Sequence, residues 1–107
     1  MSKPYPKGYF KEIQESLKNA AYEQLKKCSN VGEMRRLDRF YKLKRNGIKF
    51  LSIEYAHLLK KTKGNISPDN FTISVINDTL DIILKSKDPH EIKRSIILAK
   101  EKIRFFK

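Results

Sequence analysis

Residues 35–63 read RRLDRFYKLKRNGIKFLSIEYAHLLKKTK, and this stretch decides both the fold class and the charge of the chain. Ten of its residues are Lys or Arg, and only Asp38 and Glu54 oppose them, so the stretch carries +8 of the chain's net +12. Its apolar residues recur every three or four positions, which is the period of an amphipathic α-helix. The stretch therefore predicts helices with an apolar side toward a core and a cationic side toward solvent.

The cations in the first half of this stretch share one side of the predicted helix. At about 100° per residue they fall within an arc of about 120°, outside which lie the apolar residues Met34, Leu37, Phe40 and Tyr41. We call these cations the basic face: Arg35, Arg39, Lys42, Arg45 and Lys49. A concentrated field of one sign is typical of proteins that bind polyanions, and arginine suits bidentate contact with phosphate. The alternative is a solvated helix face without a ligand.

The composition indicates one folded domain. A chain of 107 residues with 39% hydrophobic and 34% charged residues can bury a single core, and it has no apolar run long enough to span a membrane. The N-terminus lacks the apolar stretch of a signal peptide, and the one cysteine, Cys28, suits a reducing compartment. We therefore expect a cytoplasmic protein with a basic, aromatic tail at residues 1–8 and a helical domain at residues 9–107.

Several signals mark helix boundaries in this domain. Asn30 and Glu33 match a capping box, and Gly47 tolerates the left-handed conformation that ends helices. The motifs Ser67-Pro68-Asp69 and Asp88-Pro89 each place a capping side chain before a proline in the first helical position. The predicted helices are residues 9–28, 30–46, 48–62, 68–85 and 89–106.

The fourth of these helices has a competing interpretation. Phe71, Ile73 and Val75 alternate with polar residues and include β-branched types, a pattern that also fits a short strand. No second segment has a strand pattern to pair with it, and a lone strand is not stable. The predicted fold is therefore all-α, a single small domain of four to five helices with short loops and mostly antiparallel neighbours.

Residues that would support catalysis or hold a metal are sparse. The chain has no CxxC or HExxH motif, and its two histidines, His57 and His90, are far apart in sequence. Cys28 falls at the end of a predicted helix, where no positive dipole activates the thiol. We expect no enzymatic activity, no metal or other cofactor, no small-molecule substrate and no membrane association.

Other cations and apolar residues extend the candidate surface. Arg36 enlarges the basic face. Three lysines at the end of the third predicted helix extend it further: Lys60, Lys61 and Lys63. Phe50, Ile53 and His57 lie opposite that helix's core face, where a ring can stack on a nucleic-acid base beside a cationic groove. Burial or contact with another protein is the better explanation of this side, because Ile53 packs and does not stack. Phe105 is a further candidate for a protein contact.

The aromatic residues near the N-terminus also allow two roles. Tyr5, Tyr9 and Phe10 lie among lysines, so their rings can stack on bases or attach the tail to the core. We expect packing for Phe10 and leave both roles open for Tyr5.

Three short motifs combine basic, apolar and aromatic residues: Met34-Arg35-Arg36-Leu37, Ile48-Lys49-Phe50-Leu51 with Glu54-Tyr55, and Ile103-Arg104-Phe105-Phe106-Lys107. In these motifs, and in size, charge and helix order, the chain resembles the small basic helical subunits of CRISPR effector complexes, especially the type III-A small subunit. The resemblance implies an all-helical subunit of a ribonucleoprotein complex.

These observations predict a small protein that binds DNA or RNA through the phosphates, largely without sequence specificity. The third predicted helix has few of the side chains that read base edges, which disfavours a sequence-specific helix-turn-helix protein. The alternative is an assembly subunit that self-associates or docks into a larger complex, such as a CRISPR-like ribonucleoprotein. Its contacts would be Phe50, Ile53, Leu98 and Phe105.

Overall fold

Residues 4–105, the part of the chain that the computed structural model describes, form four α-helices and no strand. The helices are α1 (Tyr9–Lys26), α2 (Val31–Thr62), α3 (Phe71–Lys85) and α4 (Pro89–Phe105). The all-α prediction is confirmed, and residues 71–76 are helical rather than extended. Phe106, at the end of the last predicted helix, lies outside the described residues.

α2 is one continuous helix of 32 residues, so the predicted helix end at Gly47 is wrong. Gly47 is buried, and it lacks the positive φ that Gly8 and Gly64 adopt. A Cβ atom on Gly47 would lie 2.7 Å from the Cδ1 atoms of both Ile83 in α3 and Ile96 in α4. The missing side chain therefore admits two isoleucines against the backbone of α2, and the helix continues through this crossing point.

The apolar side of α2 keeps its phase through Gly47. Its buried residues recur at short helical steps, and the half-buried Leu37, Phe40 and Tyr41 continue the same spacing toward the N-terminus. The buried residues on this side include Lys44, Gly47, Ile48, Leu51, Tyr55 and Leu58. Because the two halves face the same direction, a straight helix buries both against one core.

The start of α3 also differs from the prediction at Pro68, because Asn70 caps this helix. The Asn70 Oδ1 atom accepts a hydrogen bond from the backbone N–H of Ile73 at 3.1 Å. The preceding residues form a turn in which the N–H of Asn70 donates to the carbonyl of Ser67 at 3.0 Å. The Ser67 hydroxyl donates to the Asp69 carboxylate instead of serving as a helix cap.

The side-chain acceptors predicted to cap α2 and α4, Asn30 and Asp88, are confirmed, whereas the Glu33 carboxylate of the predicted capping box accepts a hydrogen bond from the Ser29 hydroxyl at 3.5 Å rather than from the backbone of Asn30. The Asn30 Oδ1 atom accepts a hydrogen bond from the N–H of Glu33 at 2.8 Å. The Asp88 Oδ1 atom accepts one from the N–H of His90 at 2.9 Å, and Pro89 is the first residue of α4. Local side-chain chemistry is therefore sufficient to begin both helices.

α2 is the central element of the fold. α1 packs along it, while α3 and α4, joined by residues 86–88, pack against α2 and against each other. Among the described residues, the backbone of α1 does not approach α3 or α4 closely. The molecule measures 49 × 26 × 17 Å, and its long dimension matches the ~48 Å expected for a helix of this length. The most deeply buried side chains are Ile48, Leu51, Ile73, Ile76, Ile83 and Ile92.

Tyr5, in the predicted tail, is buried in a cluster of aromatic rings. Its ring stacks on Tyr9 with centroids 5.0 Å apart, and it meets Phe10 and Tyr55 at 5.1 Å in edge-on contacts. Its hydroxyl donates to the side-chain oxygen of Asn77 in α3. Burial, with smaller contributions from the neighbouring tyrosines, raises the pKa of Tyr5 to about 12. The packing predicted for Phe10 is confirmed, and Tyr5 packs in the same cluster.

Candidate nucleic-acid interface

The uninterrupted α2 places cations from both of its halves on one outward face. At about 100° per residue these side chains lie within an arc of about 80°, and all of them are exposed. We call them the α2 stripe: Arg35, Arg39, Lys42, Lys49 and Lys60. At about 1.5 Å per residue, the stripe is ~38 Å long. The alignment of Lys60 with the other four residues was not predicted, because the predicted helices were divided at Gly47.

The remaining predicted cations lie beside the stripe. Arg36 and Lys61 are exposed on one edge of it, about 80–100° around the helix from Arg35. Arg45, on the other edge, is half-buried, which leaves it less accessible than the stripe residues. Lys63 is exposed but follows the helix, where it adopts the left-handed conformation with φ of 55°. The surface therefore has a central line of charge with further cations on both sides.

No acidic side chain forms an ion pair with the α2 stripe among residues 4–105, and the exposed Asp38 lies at the edge of its arc. Within residues 4–105 the ion pairs are Glu23–Lys26 at 3.6 Å and Asp81–Lys85 at 2.8 Å, each contained in one helix. Neither pair includes a cation of α2. The field of the stripe is therefore available to an external anion.

Lys44 belongs to α2 but not to this surface. Its side chain is buried on the core side of the helix, and its Nζ atom lies 4.8 Å from the centroid of the Phe40 ring. Burial lowers the pKa of this amine below its usual value. Position around the helix thus separates Lys44 from the exposed cations.

The structure divides the predicted stacking residues into two groups. Ile53, which is 46% exposed, and His57 lie in the arc of the α2 stripe between Lys49 and Lys60. Phe50 is half-buried and packs against the cluster of Val75, Ala99 and Ile103. Phe50 is therefore mainly a packing residue, whereas Ile53 and His57 face solvent. Phe105, at the end of α4, is 81% exposed.

Two cations of α4 that the sequence did not predict as part of this surface lie beside Phe50. Lys100 places its Nζ atom 5.4 Å from the Phe50 ring centroid. Lys100 and Arg104 line a shallow cavity of about 350 Å³ together with Phe50 and Glu54 of α2. Their i, i+4 spacing indicates a shared helix face. The packing of α4 on α2, which brings this face beside the α2 surface, is not visible in the sequence.

Two other kinds of site do not occur in the described part of the chain. Residues 4–105 contain no group of three or more His, Cys, Asp and Glu side chains arranged to hold a metal ion. His57 and His90 are both exposed. None of the four helices is long and apolar enough to cross a membrane.

No protein-family model, curated protein or solved structure matches this chain significantly. The resemblance to CRISPR small subunits therefore has no support from these comparisons.

Proposed function

We propose that this protein binds nucleic acid by contacting the phosphate backbone along the α2 stripe. The observation that carries the proposal is a ~38 Å line of five exposed cations on one continuous helix, none of them in an ion pair within the described residues. A continuous helix holds these charges in a fixed line. A linear polyanion can then contact all five of them without any rearrangement of the protein.

Binding would be driven mainly by counterion release. Each phosphate that a Lys or Arg neutralises frees condensed cations from the nucleic acid, so affinity falls as salt rises. The two arginines and three lysines of the α2 stripe supply the charge. Arginine adds the possibility of bidentate contact with one phosphate. This role needs no catalytic group, and we propose a binding protein rather than an enzyme.

The same face offers little for reading base sequence. Besides cations, the arc of the α2 stripe contains Asn46, Ile53 and His57. Base recognition in the major groove usually relies on several bidentate side chains such as Arg, Asn and Gln. The face has one amide, and our proposal assigns its two arginines to phosphates, so we propose binding with weak sequence preference.

The salt dependence of binding to a duplex oligonucleotide tests this proposal. Five engaged cations predict a slope of log affinity against log salt of about −4.5, or about −3.5 for a single strand. Arg39→Ala should make the slope shallower by roughly 0.7–0.9, because one phosphate contact is lost. Fluorescence anisotropy with labelled oligonucleotides of unrelated sequence measures both quantities.

Lys85→Ala is the matched control because it removes one exposed positive charge from α3, where Lys85 already pairs with Asp81. This variant should keep the parental slope. Equal effects of the two substitutions would indicate attraction to net charge alone and would contradict a defined stripe. Absence of binding at low salt by a folded protein would overturn the proposal.

A protein-interaction subunit is the second candidate function. The observation in its favour is that α4 exposes several large apolar side chains: Ile97, Leu98 and Phe105. Of the two α2 residues predicted to contact a protein partner, Phe50 is half-buried and less available for such a contact, whereas Ile53 is exposed. In this role the positive charge would meet nucleic acid only within an assembly.

Size-exclusion chromatography with absorbance at 260 and 280 nm separates the two candidates. Co-purification of nucleic acid that is released only at high salt supports the first. An oligomer that elutes free of nucleic acid supports the second. Its slope of log affinity for nucleic acid against log salt should be near zero, because apolar contacts depend little on salt.

A further inference from the structure

The outward face of α4 has a self-complementary pattern. Its core side carries Ile92, Ile96 and Ala99, so the opposite side points away from the rest of the molecule. At about 100° per residue, Arg94 and Glu101 lie near the middle of that outward side. Both are exposed.

Two apolar residues separate these opposite charges. Ile97 is 46% exposed and Leu98 is 44% exposed, and both lie between Arg94 and Glu101 along the helix. The order of residues on the face is therefore cation, apolar pair, anion. Reversing the direction of the helix gives anion, apolar pair, cation, which is the complement of the original order.

We infer that two copies of this chain associate through α4, with the two helices antiparallel about a twofold axis between residues 97 and 98. In this register the two copies of Ile97 lie against each other on one side of the seam, and the two copies of Leu98 lie against each other on the other side. Arg94 likewise faces Glu101 of the other copy, and the symmetry forms this pair twice. The twofold pairing thus gives Arg94 and Glu101 an opposite charge each, and the same contact covers Ile97 and Leu98.

The occupant is a second copy because the complementarity is internal to the face. The two charges stand seven residues apart, or ~10.5 Å along the helix, and the axis lies midway between them. A single helix face is small, at the low end of interfaces that bury less than about 1,200 Å², so a weak, concentration-dependent dimer is expected. This inference does not depend on nucleic-acid binding.

Charge exchange on α4 tests the register. Arg94→Glu or Glu101→Arg alone should weaken dimerisation at least about tenfold, because each creates two like-charge contacts. The double variant Arg94→Glu/Glu101→Arg should restore the parental dissociation constant within about threefold, because the pairs re-form in reverse. Sedimentation equilibrium over a concentration series measures the constant, and circular dichroism checks the fold.

A cysteine scan tests the geometry separately. In a Cys28→Ser background, Ile97→Cys should give a disulfide-linked dimer under mild oxidation, because the two copies of residue 97 lie close to the axis. His90→Cys should not, because its two copies would be separated by ~22 Å along the paired helices. Lys18→Glu on α1 controls for net charge and should leave the dissociation constant unchanged.

Three results would overturn the inference. These are a monomer at every concentration up to the millimolar range, failure of the double variant to restore a dimer lost in the single variants, and cross-linking through position 90 but not 97. Nucleic-acid affinity measured on the same variants separates this inference from the proposed function, because none of the substitutions alters the α2 stripe.

Discussion

Gly47 permits three helices to meet at one residue. A methyl group there would lie 2.7 Å from side-chain atoms of both Ile83 and Ile96. Gly47→Ala should therefore lower the free energy of unfolding by up to about 2 kcal/mol, because overpacking costs about 1–3 kcal/mol and the higher helix propensity of alanine returns about 1 kcal/mol. Urea unfolding followed by circular dichroism measures the change.

Gly32, near the start of the same helix, provides the control. A Cβ atom there meets only the Asn30 side chain, at an ordinary 3.4 Å. Gly32→Ala should leave stability unchanged or raise it by up to about 1 kcal/mol. Equal stabilisation by both substitutions would show that α3 and α4 do not pack closely on Gly47.

Lys44 carries a stability cost that depends on pH. Because burial lowers the pKa of Lys44 in the folded state, the unfolded chain binds more protons between that lowered pKa and the ordinary lysine pKa of 10.5. The contribution of Lys44 to stability therefore rises with pH through this window. We expect Lys44→Met to be more stable than the parent at pH 7, with an advantage that shrinks as the pH approaches 10.5.

Urea unfolding of the parent and Lys44→Met at several pH values between 7 and 10.5 measures this effect. Comparison at each pH cancels groups that titrate equally in both proteins. A parent that is the more stable protein at pH 7 would show that the contact between the Lys44 amine and the Phe40 ring outweighs the cost of burying the charge.

At the scale of single elements, the beginning of α3 depends on one side chain. Asn70→Ala removes the acceptor for the N–H of Ile73 and should lower the free energy of unfolding by about 0.5–2 kcal/mol. Asp69→Ala should change it by less than about 0.5 kcal/mol, because Asp69 is exposed and does not cap the helix. Thermal unfolding monitored at 222 nm measures both. A larger loss in Asp69→Ala would place the helix start nearer to Pro68.

The helix starts show which local signals could be read correctly. At Asp88-Pro89 the aspartate accepts a backbone hydrogen bond, so the motif begins α4 as predicted. At Ser67-Pro68-Asp69 the serine hydroxyl donates a hydrogen bond to the Asp69 carboxylate. The side chain of Asn70 caps α3 instead. Ser67 and Asn70 are both suitable N-cap residues, and residue type alone does not show which of them caps the helix.

At the scale of the whole molecule, an unbroken α2 makes the protein elongated. Its radius of gyration is 15.2 Å, whereas a compact domain of this length has about 13 Å. Small-angle X-ray scattering at low protein concentration should give a value close to 15.2 Å plus a thin hydration layer. A value near 13 Å would indicate that the two halves of α2 fold back at Gly47, contrary to the structure. The value should rise with concentration if copies pair through α4.

The sequence by itself determined the all-α class, the cation-rich outer side of residues 35–49 and the caps at Asn30 and Asp88. These properties depend on the helical period and on side chains within a few residues of each other, so they are local. The exposure of Arg35, Arg39 and Lys42 followed from the same period.

Only the tertiary structure decided whether Gly47 ends a helix or continues one. A glycine suits both a left-handed helix end and a close helix crossing, and the choice depends on Ile83 and Ile96, which lie far along the chain. Because the helix continues through Gly47, Lys60 aligns with the other residues of the α2 stripe, and the stripe is ~38 Å long. The placement of Lys100 and Arg104 beside Phe50 likewise required the packing of α4 on α2, because contacts between distant segments leave no signal in local periodicity.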